Sequence, residues 1–220
     1  MKQENYWKKL SLSLFLIGAV VTGCKEQSSG PLPILGPYKV QDNIVDGVLK
    51  TDTNFTTVRP FSFVDQDGNE VSHATVEGKI YVTDFFFTSC PTICPKMKQQ
   101  MLRLYDDFEG NDNVLFLSHS IDPKRDSVTR LHTYAEKLGI SSARWHLMTG
   151  DRDSIYSMAK HYMIAAQEDK LAPGGYAHSG AFLLVDRNKQ IRGIYDGTDA
   201  EDVDKLAHDI NGLLNDEIHP

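Results

Sequence analysis

Two cysteines carry the side chains best suited to chemistry in this sequence. Cys90 and Cys94 are separated by three residues, and their sulfurs could bind one metal ion or oxidise to a disulfide. The spacing alone permits both. Soft thiolate ligands select Cu(I) or zinc over hard ions. A closed structural zinc site needs four protein ligands, and the only other cysteine is Cys24, near the N-terminus. If the pair binds a metal ion, copper is therefore the expected ion.

A third ligand would have to come from one of the eight histidines. His178 lies in the glycine-rich segment Gly174–Gly180, and an imidazole suits both oxidation states of copper. A loop histidine that only bonds solvent fits this segment equally well. His119, at the end of a predicted buried strand, is a candidate for a supporting contact to the site. The other histidines are interpreted as solvated or packed side chains: His73, His132, His146, His161, His208 and His219.

The cysteine pair follows a predicted central strand. Residues 79–87 are β-branched and aromatic, with too few polar positions for a solvent-facing side. Apolar residues then recur at helical spacing from Met97 to Phe108, which predicts an amphipathic helix. The pair thus lies at a strand-to-helix junction, the end of the sheet where α/β proteins place their sites. We expect Thr92 to cap the helix and the helix dipole to favour the thiolate of Cys94.

The remaining pattern predicts an α/β fold. An N-terminal β-hairpin is expected from 61–64 and 70–72. A buried strand, two helices, a hairpin and a final helix follow at 114–118, 128–138, 155–162, 181–195 and 198–213. Strand, helix, strand and helix in succession predict parallel pairing, and a βαβ half followed by ββα is the thioredoxin-like order. We therefore expect a thioredoxin-like central mixed sheet flanked by helices. In such a sheet the segment that contains His178 faces the cysteines.

The N-terminal residues have the features of an export signal. A basic start precedes the uncharged stretch Leu10–Gly23, which is too short for a comfortable membrane span. It ends in Val21-Thr22-Gly23-Cys24, which resembles the lipobox of bacterial lipoproteins, where the cysteine receives the lipid. The alternative is an uncleaved signal anchor with an incidental cysteine. Lipidation of Cys24 would leave Cys90 and Cys94 as the only pair.

The lipobox and the composition predict how the chain is organised. We expect residues 1–23 to be a lipoprotein signal peptide, 24–50 a flexible tether rich in proline and glycine, and 51–220 the folded domain. The domain would be lipid-anchored to a membrane of the cell envelope and would lie outside the cytoplasm.

The charge balance disfavours one class of partner. The chain has 23 basic and 30 acidic side chains, a net charge of −7. It lacks the basic field that neutralisation of phosphates requires, so nucleic acid is not an expected partner.

Three separated motifs together resemble the Sco/SenC family. They are Cys90-x-x-x-Cys94 with flanking prolines, Asp122-Pro123-x-Arg125-Asp126, and His178-Ser179 before the hairpin at 181–195. The resemblance covers about residues 55–215. It implies a thioredoxin-fold copper protein, tethered to a membrane, that helps to assemble the dinuclear copper centre of cytochrome c oxidase. It also implies that Cys90, Cys94 and His178 are the copper ligands.

Two positions in these motifs have a further interpretation. Ala177 occupies the place where many members of the family have an acidic residue before the ligand histidine. In the second motif, Asp126 or Ser127 could simply cap the following helix, with Arg125 tying the loop.

A different class of function uses the same cysteines. A thiol-disulfide oxidoreductase would cycle Cys90 and Cys94 between dithiol and disulfide and would need no histidine. Thioredoxin-type enzymes, however, usually have two residues between their cysteines and a proline directly before the facing strand, where this chain has Ser179 and Gly180. A peroxidase of the peroxiredoxin kind is disfavoured, because Thr83 and Phe87 stand where that family has proline and threonine.

Overall fold

The computed structural model of the protein describes residues 32–215. The predicted signal peptide, Cys24, the start of the predicted tether and His219 lie outside this range. The strands are β1 (Tyr38–Val45), β2 (Val48–Phe55), β3 (Ser62–Val64), β4 (Glu70–Ser72), β5 (Ile80–Phe86), β6 (Val114–Ser120), β7 (Trp145–Met148), β8 (Ala166–Glu168), β9 (Tyr176–His178), β10 (Ala181–Val185) and β11 (Ile191–Asp196). The helices are α1 (Cys94–Asp107), α2 (Val128–Leu138), α3 (Arg152–His161) and α4 (Ala200–Asn215).

Five strands form the central sheet, in the order β11-β10-β5-β6-β7. Strands β5, β6 and β7 are parallel, whereas β10 is antiparallel to both β5 and β11. This is the mixed thioredoxin-like sheet that the sequence predicts. The hairpin of β3 and β4 is also confirmed, with Phe63 opposite Val71.

Both faces of the sheet are covered. All seven residues of β5 are buried, and their side chains alternate between two cores. Ile80, Val82 and Phe86 pack with the apolar sides of α1 and α4, whereas Tyr81 and Phe85 pack with α3 and the β3–β4 hairpin. Burial of each large side chain stabilises the fold by about 1.5 to 3 kcal/mol. The end of β5 is therefore a rigid base for the residues that follow it.

Helix α2 shows which residue caps it. The Ser127 hydroxyl accepts a hydrogen bond from the backbone N–H of Arg130, and Gly139 ends the helix at φ 70°. Of the two candidates that the sequence offers, Ser127 is thus the cap. Asp126 is left free for other contacts.

The sequence did not predict the hairpin of β1 and β2. Strands β1 and β2 pair along their full length outside the central sheet, and they cross residue 50, the predicted limit of the tether. Most of their side chains are exposed, including Ile44 at 77% and Leu49 at 65%. The division between tether and domain therefore stays a prediction.

Within residues 32–215, none of the helices has the length and apolar character needed to span a membrane.

The chain joins the sheet at one particular end. Leu35 N donates to Ile191 O, and Val58 N donates to Lys189 O, both at 2.7 Å. Ile191 pairs with Val185, which in turn pairs with Tyr81 near the start of β5. The segments on either side of the β1–β2 hairpin therefore contact the sheet end opposite to the one where β5 finishes.

Candidate metal centre

The loop between β5 and α1 carries the first sulfur. Cys90 is half-buried, and its N–H donates to Phe87 O at 3.2 Å. Helix α1 begins at Cys94, and Ile93 is its N-cap, with no side-chain hydrogen bond. The prediction that Thr92 caps the helix is therefore wrong. The Thr92 hydroxyl instead lies 3.7 Å from the sulfur of Cys90.

The imidazole comes from a small hairpin of β8 and β9. His178 is the last residue of β9 and pairs with Ala166, so it belongs to a strand where the sequence suggested a loop. Gly174, in the turn before β9, has φ 78°, and an added Cβ would lie 2.7 Å from Cε2 of Phe87. Only glycine fits this position, because both the backbone conformation and the space exclude a side chain. The close contact seats the hairpin against the residue that follows β5.

The structure brings Cys90, Cys94 and His178 together. Their donor atoms lie within 4.8 Å of one another, and Sγ of Cys94 is 3.4 Å from Nε2 of His178. Sulfur and nitrogen ligands bind zinc at about 2.0 to 2.3 Å, so two donors on one ion are at most about 4.6 Å apart. The shortest observed separation lies well below that limit, and the 4.8 Å bound on the others exceeds it by only a few tenths of an ångström. The arrangement can therefore hold one soft metal ion, with the mixed sulfur and imidazole donors that suit copper.

The second ring nitrogen of His178 fixes its tautomer. Nδ1 lies 3.0 Å from the backbone O of Ser179. Because a carbonyl oxygen can only accept, Nδ1 donates this bond, which leaves Nε2, the nitrogen that faces Cys94, as the atom that would bind a metal. The Phe87 ring meets the imidazole edge-on at 5.8 Å. The Ser179 carbonyl and the Phe87 ring therefore hold the imidazole in place.

The two sulfurs differ in their acidity. Burial by itself raises the pKa of Cys90, but hydrogen bonds from the Cys94 side chain and from the backbone at Thr92 and Cys94 outweigh it and lower the pKa to about 6. Burial raises the pKa of Cys94 far above its usual range, and the neighbouring Cys90 raises it further. The expectation that Cys94 is the favoured thiolate is therefore wrong. Burial of its sulfur outweighs the helix dipole, whose effect is about 0.3 to 1 kcal/mol at exposed positions.

His119 does not support this site directly. Its ring stacks on Phe85 at 4.8 Å and meets Phe63 edge-on at 5.3 Å, and its Nδ1 lies 3.1 Å from the Thr83 hydroxyl. Burial lowers the pKa of His119 to about 3, so the ring is neutral at physiological pH. It is a core residue on the face of the sheet that packs against α3.

Sequence reasoning missed two residues next to the ligands. The hydroxyl of Thr88, two positions before Cys90, donates to Asp126, and the hydroxyl of Tyr176, two positions before His178, donates to Asp122. The sequence motif from Asp122 to Asp126 had already singled out these two carboxylates. What the sequence could not give was the identity of the residues that those carboxylates contact.

Comparison with known proteins gives one consistent result. Residues 50–215 match the SCO1/SenC family. The chain is 30% identical over 164 residues to the SCO1 protein homolog of Bacillus subtilis, covering 74% of this chain and 84% of that protein.

Solved structures agree with this match. A SCO1/SenC family lipoprotein from Bacillus anthracis superposes with a TM-score of 0.65 at 28% identity, over 72% of this chain and 95% of that chain. Arabidopsis thaliana ScoI with copper bound superposes with a TM-score of 0.61 at 26% identity, over 73% and 99%. With a family match that runs from residue 50 to residue 215, on a fold that gathers two sulfurs and an imidazole at one end of its sheet, this chain belongs to the SCO1/SenC family.

Proposed function

We propose that this protein is a copper metallochaperone that binds one copper ion through Cys90, Cys94 and His178. It would deliver the ion to the copper-bearing subunit of cytochrome c oxidase. The observation that carries the proposal is the convergence of the three donor atoms within 4.8 Å. The copper-bound Arabidopsis relative and the implication of the Sco/SenC resemblance support the choice of metal and of acceptor.

The surroundings of the ligands suit a metal ion that is transferred to an acceptor protein. Three protein ligands leave a coordination position open, through which an incoming thiolate or imidazole of the acceptor could bind. Cys90 is half-buried, whereas Cys94 is 2% exposed, so Cys90 is the ligand that an acceptor would displace first. Each new bond from copper to the acceptor replaces one bond to this chain. The metal can then pass over without ever being released into water.

Copper titration of the mature protein tests the ligands. We expect one copper per chain, at least a 100-fold loss of affinity in Cys90→Ala and Cys94→Ala, and a selective loss of Cu(II) in His178→Ala. His132→Ala is the matched control, because His132 is an exposed histidine paired with Asp67 on a different part of the surface. Unchanged stoichiometry and affinity in Cys90→Ala and His178→Ala would refute the assignment.

We infer that Cys24 carries a lipid that tethers the domain to a membrane of the cell envelope. The lipobox-like residues before Cys24 and the lipoprotein relative from Bacillus anthracis support this inference. Mass spectrometry of the protein purified from membranes should find Cys24 as the first residue, with a diacylglycerol group. Cys24→Ala should accumulate as the full-length precursor. A mature protein that begins elsewhere would contradict the lipid anchor.

One observation favours a second role as a thiol-disulfide oxidoreductase. Cys90 and Cys94 are adjacent free thiols, and the pKa of Cys90 is lowered to about 6. Such a pair could reduce a disulfide of a target protein to two thiols and become a disulfide itself, so that one S–S bond breaks and one forms. Reduction of a disulfide substrate such as insulin, at a rate unchanged in His178→Ala, would support this role. A rate no higher than that of free dithiothreitol would argue against it.

A further inference from the structure

Two buried carboxylates lie beside the site without being among its ligands. Asp122 and Asp126 belong to the turn after β6 and are 1% and 0% exposed. The backbone N–H groups of Arg125 and Asp126 both donate to the O of Asp122, so the turn keeps the two residues in fixed relation. Burial of a carboxylate is costly unless hydrogen bonds compensate it. The partners of these two groups therefore indicate what they do.

Asp126 contacts the loop that carries Cys90. Its carboxylate accepts hydrogen bonds from Thr88 N at 3.0 Å, the Thr88 hydroxyl at 2.6 Å and the Ser120 hydroxyl at 2.6 Å. Arg130 completes the network, because its Nε lies 3.4 Å from Asp126 and donates to the Thr88 hydroxyl at 2.7 Å. Since Ser127 caps α2, none of these contacts is needed to start that helix. They fix Thr88, two residues before Cys90.

Asp122 contacts the hairpin that carries His178. The Tyr176 hydroxyl donates to its Oδ1 at 2.8 Å, and the Tyr176 ring packs on Phe87 with centroids 5.1 Å apart. Arg125 lies 3.6 Å from Oδ2 of the same carboxylate. Side chains alternate along a strand, so Tyr176 and His178 lie on the same face of β9. A bond that fixes Tyr176 therefore also fixes the direction of the imidazole.

We propose that Asp122 and Asp126 form a carboxylate clasp that positions the metal ligands, Asp126 acting on Cys90 through Thr88 and Asp122 acting on His178 through Tyr176. The inference rests on the proposed copper function. The two carboxylates are positioning residues that do not touch the metal.

The two halves of the clasp have different consequences for the oxidation state that binds. The imidazole suits both oxidation states, but soft thiolates select Cu(I) by themselves, whereas Cu(II) prefers tetragonal sites with nitrogen donors and so depends more on the imidazole. Loss of the Asp122–Tyr176 bond should therefore weaken Cu(II) binding and spare Cu(I). Loss of the Asp126–Thr88 bonds should weaken both, because both oxidation states use Cys90. The clasp thus contributes to the reduction potential of the bound copper.

Tyr176→Phe tests the first half, because it removes a single hydroxyl. We expect at least a tenfold loss of Cu(II) affinity with Cu(I) affinity changed less than threefold. Each tenfold loss of Cu(II) affinity relative to Cu(I) affinity raises the reduction potential of the bound copper by about 59 mV. Tyr156→Phe is the matched control, since the Tyr156 hydroxyl donates to the backbone O of Ile121, next to Asp122, and not to the Asp122 carboxylate. Equal changes in both affinities, or none, would overturn this half of the proposal.

A measurement on the metal-free protein separates the clasp from the copper function. The N–H of Ser179 donates to Ala165 O, at the end of the hairpin that carries His178. Its amide hydrogen should exchange faster in Tyr176→Phe than in the wild type, and should be unchanged in Tyr156→Phe. If the wild type binds no copper, the proposed function fails while this result still decides whether Asp122 holds the hairpin. Identical exchange in all three proteins would refute that contact.

Thr88→Val tests the second half with little change in shape. Removal of the hydroxyl breaks its bonds with Asp126 and Arg130, and we expect about a tenfold loss of affinity for Cu(I) and Cu(II) alike. Asp126→Asn should give the same pattern if it folds. Ser127→Ala is the control, because it removes the cap of α2 and should lower the melting temperature without changing copper affinity. Full copper affinity in folded Thr88→Val would refute the role of Asp126.

Discussion

The two sulfurs of the site have different roles because their surroundings differ. Cys90 is half-buried and receives several hydrogen bonds that stabilise its thiolate, whereas Cys94 is enclosed at the first turn of α1. Metal ligation requires both as thiolates, so copper binding must expel the proton of Cys94. The half-buried sulfur of Cys90 is ready to react, and the buried sulfur of Cys94 retains the metal once it is bound.

This difference predicts selective alkylation. In the reduced, metal-free protein, Cys90 should react with iodoacetamide much faster than Cys94 at pH 7. The rate should fall as the pH decreases through about 6, where the Cys90 thiolate becomes protonated. Peptide mapping by mass spectrometry measures both sites in one sample. Equal rates at the two cysteines, or a midpoint near the ordinary thiol value, would contradict the asymmetry.

His119 predicts a pH dependence of stability. Burial lowers its pKa from 6.5 to about 3, so the unfolded chain binds one more proton between these values. The stability that neutral His119 contributes is fully present above about pH 6.5 and is lost as the pH falls towards 3. From pH 7 to pH 4.5 the loss is about 2 to 3 kcal/mol.

Urea unfolding at both pH values measures this loss. His119→Gln should show a smaller decrease in the free energy of unfolding between pH 7 and pH 4.5 than the wild type. Replacement of the exposed His132 by Gln should retain most of the wild-type decrease. The linkage is wrong if His119→Gln and the wild type lose the same amount.

At the scale of elements, the seating of the β8–β9 hairpin controls the imidazole. Gly174 and Gly175 both have positive φ, so alanine is strained at either position, but only at Gly174 would the new Cβ also collide with Phe87. Gly174→Ala should therefore displace the hairpin and lower Cu(II) affinity, whereas Gly175→Ala should cost only about 1 kcal/mol of stability. Copper titration and thermal melting of the two variants check this. Equal effects on affinity would exclude the contact with Phe87 as the cause.

The elements that the sequence predicts well are those with strong apolar patterns. The sequence predicted strands β5 and β6, the helices and the β10–β11 hairpin. Each of these elements buries one or both of its faces, and this burial produces a clear apolar pattern in the sequence. The strands β1, β2, β8 and β9 were missed, since their side chains are mostly exposed or half-buried and their sequences carry little periodicity. The meeting of Cys94 with His178 is a long-range contact, and only the family resemblance singled out that histidine.

Local chemistry was less predictable than architecture. Helix α1 begins at Cys94 with Ile93 as its N-cap, one residue after the threonine that the sequence suggested as the cap. The acidity of the cysteines depends on burial and on neighbouring donors, neither of which can be read from a five-residue motif. In the sequence, Asp126 could be a residue of the site motif or a helix cap, and the bonds from Arg130 N to Ser127 and from Thr88 to Asp126 distinguish these roles.

At the scale of the molecule, the ligands link metal binding to folding. Cys94 and His178 are 84 residues apart in the chain, so the complete site exists only in the folded protein. A ligand that binds only the folded state stabilises it by about 2.7 kcal/mol at 100 times its dissociation constant. For a domain of this size that raises the melting temperature by about 5 to 11 °C.

Calorimetry of the loaded and metal-free protein checks the expected increase. The increase with Cu(II) should be smaller in His178→Ala, because the imidazole that joins the two distant segments is missing. His132→Ala should melt like the wild type in both states. A melting temperature that does not respond to copper would mean that the ion binds the unfolded chain as well.

The N-terminal segment joins the central sheet at one end, and the cysteines lie at the other end. Leu35 pairs with Ile191 beside the start of β5, whereas Cys90 follows the end of β5. Fixing the protein to a chip or a bead through its N-terminal segment should therefore leave the end of the sheet that carries Cys90 facing the solution. Such an immobilised sample could be reloaded and stripped of copper repeatedly, and could capture acceptor proteins in the orientation that exchange requires.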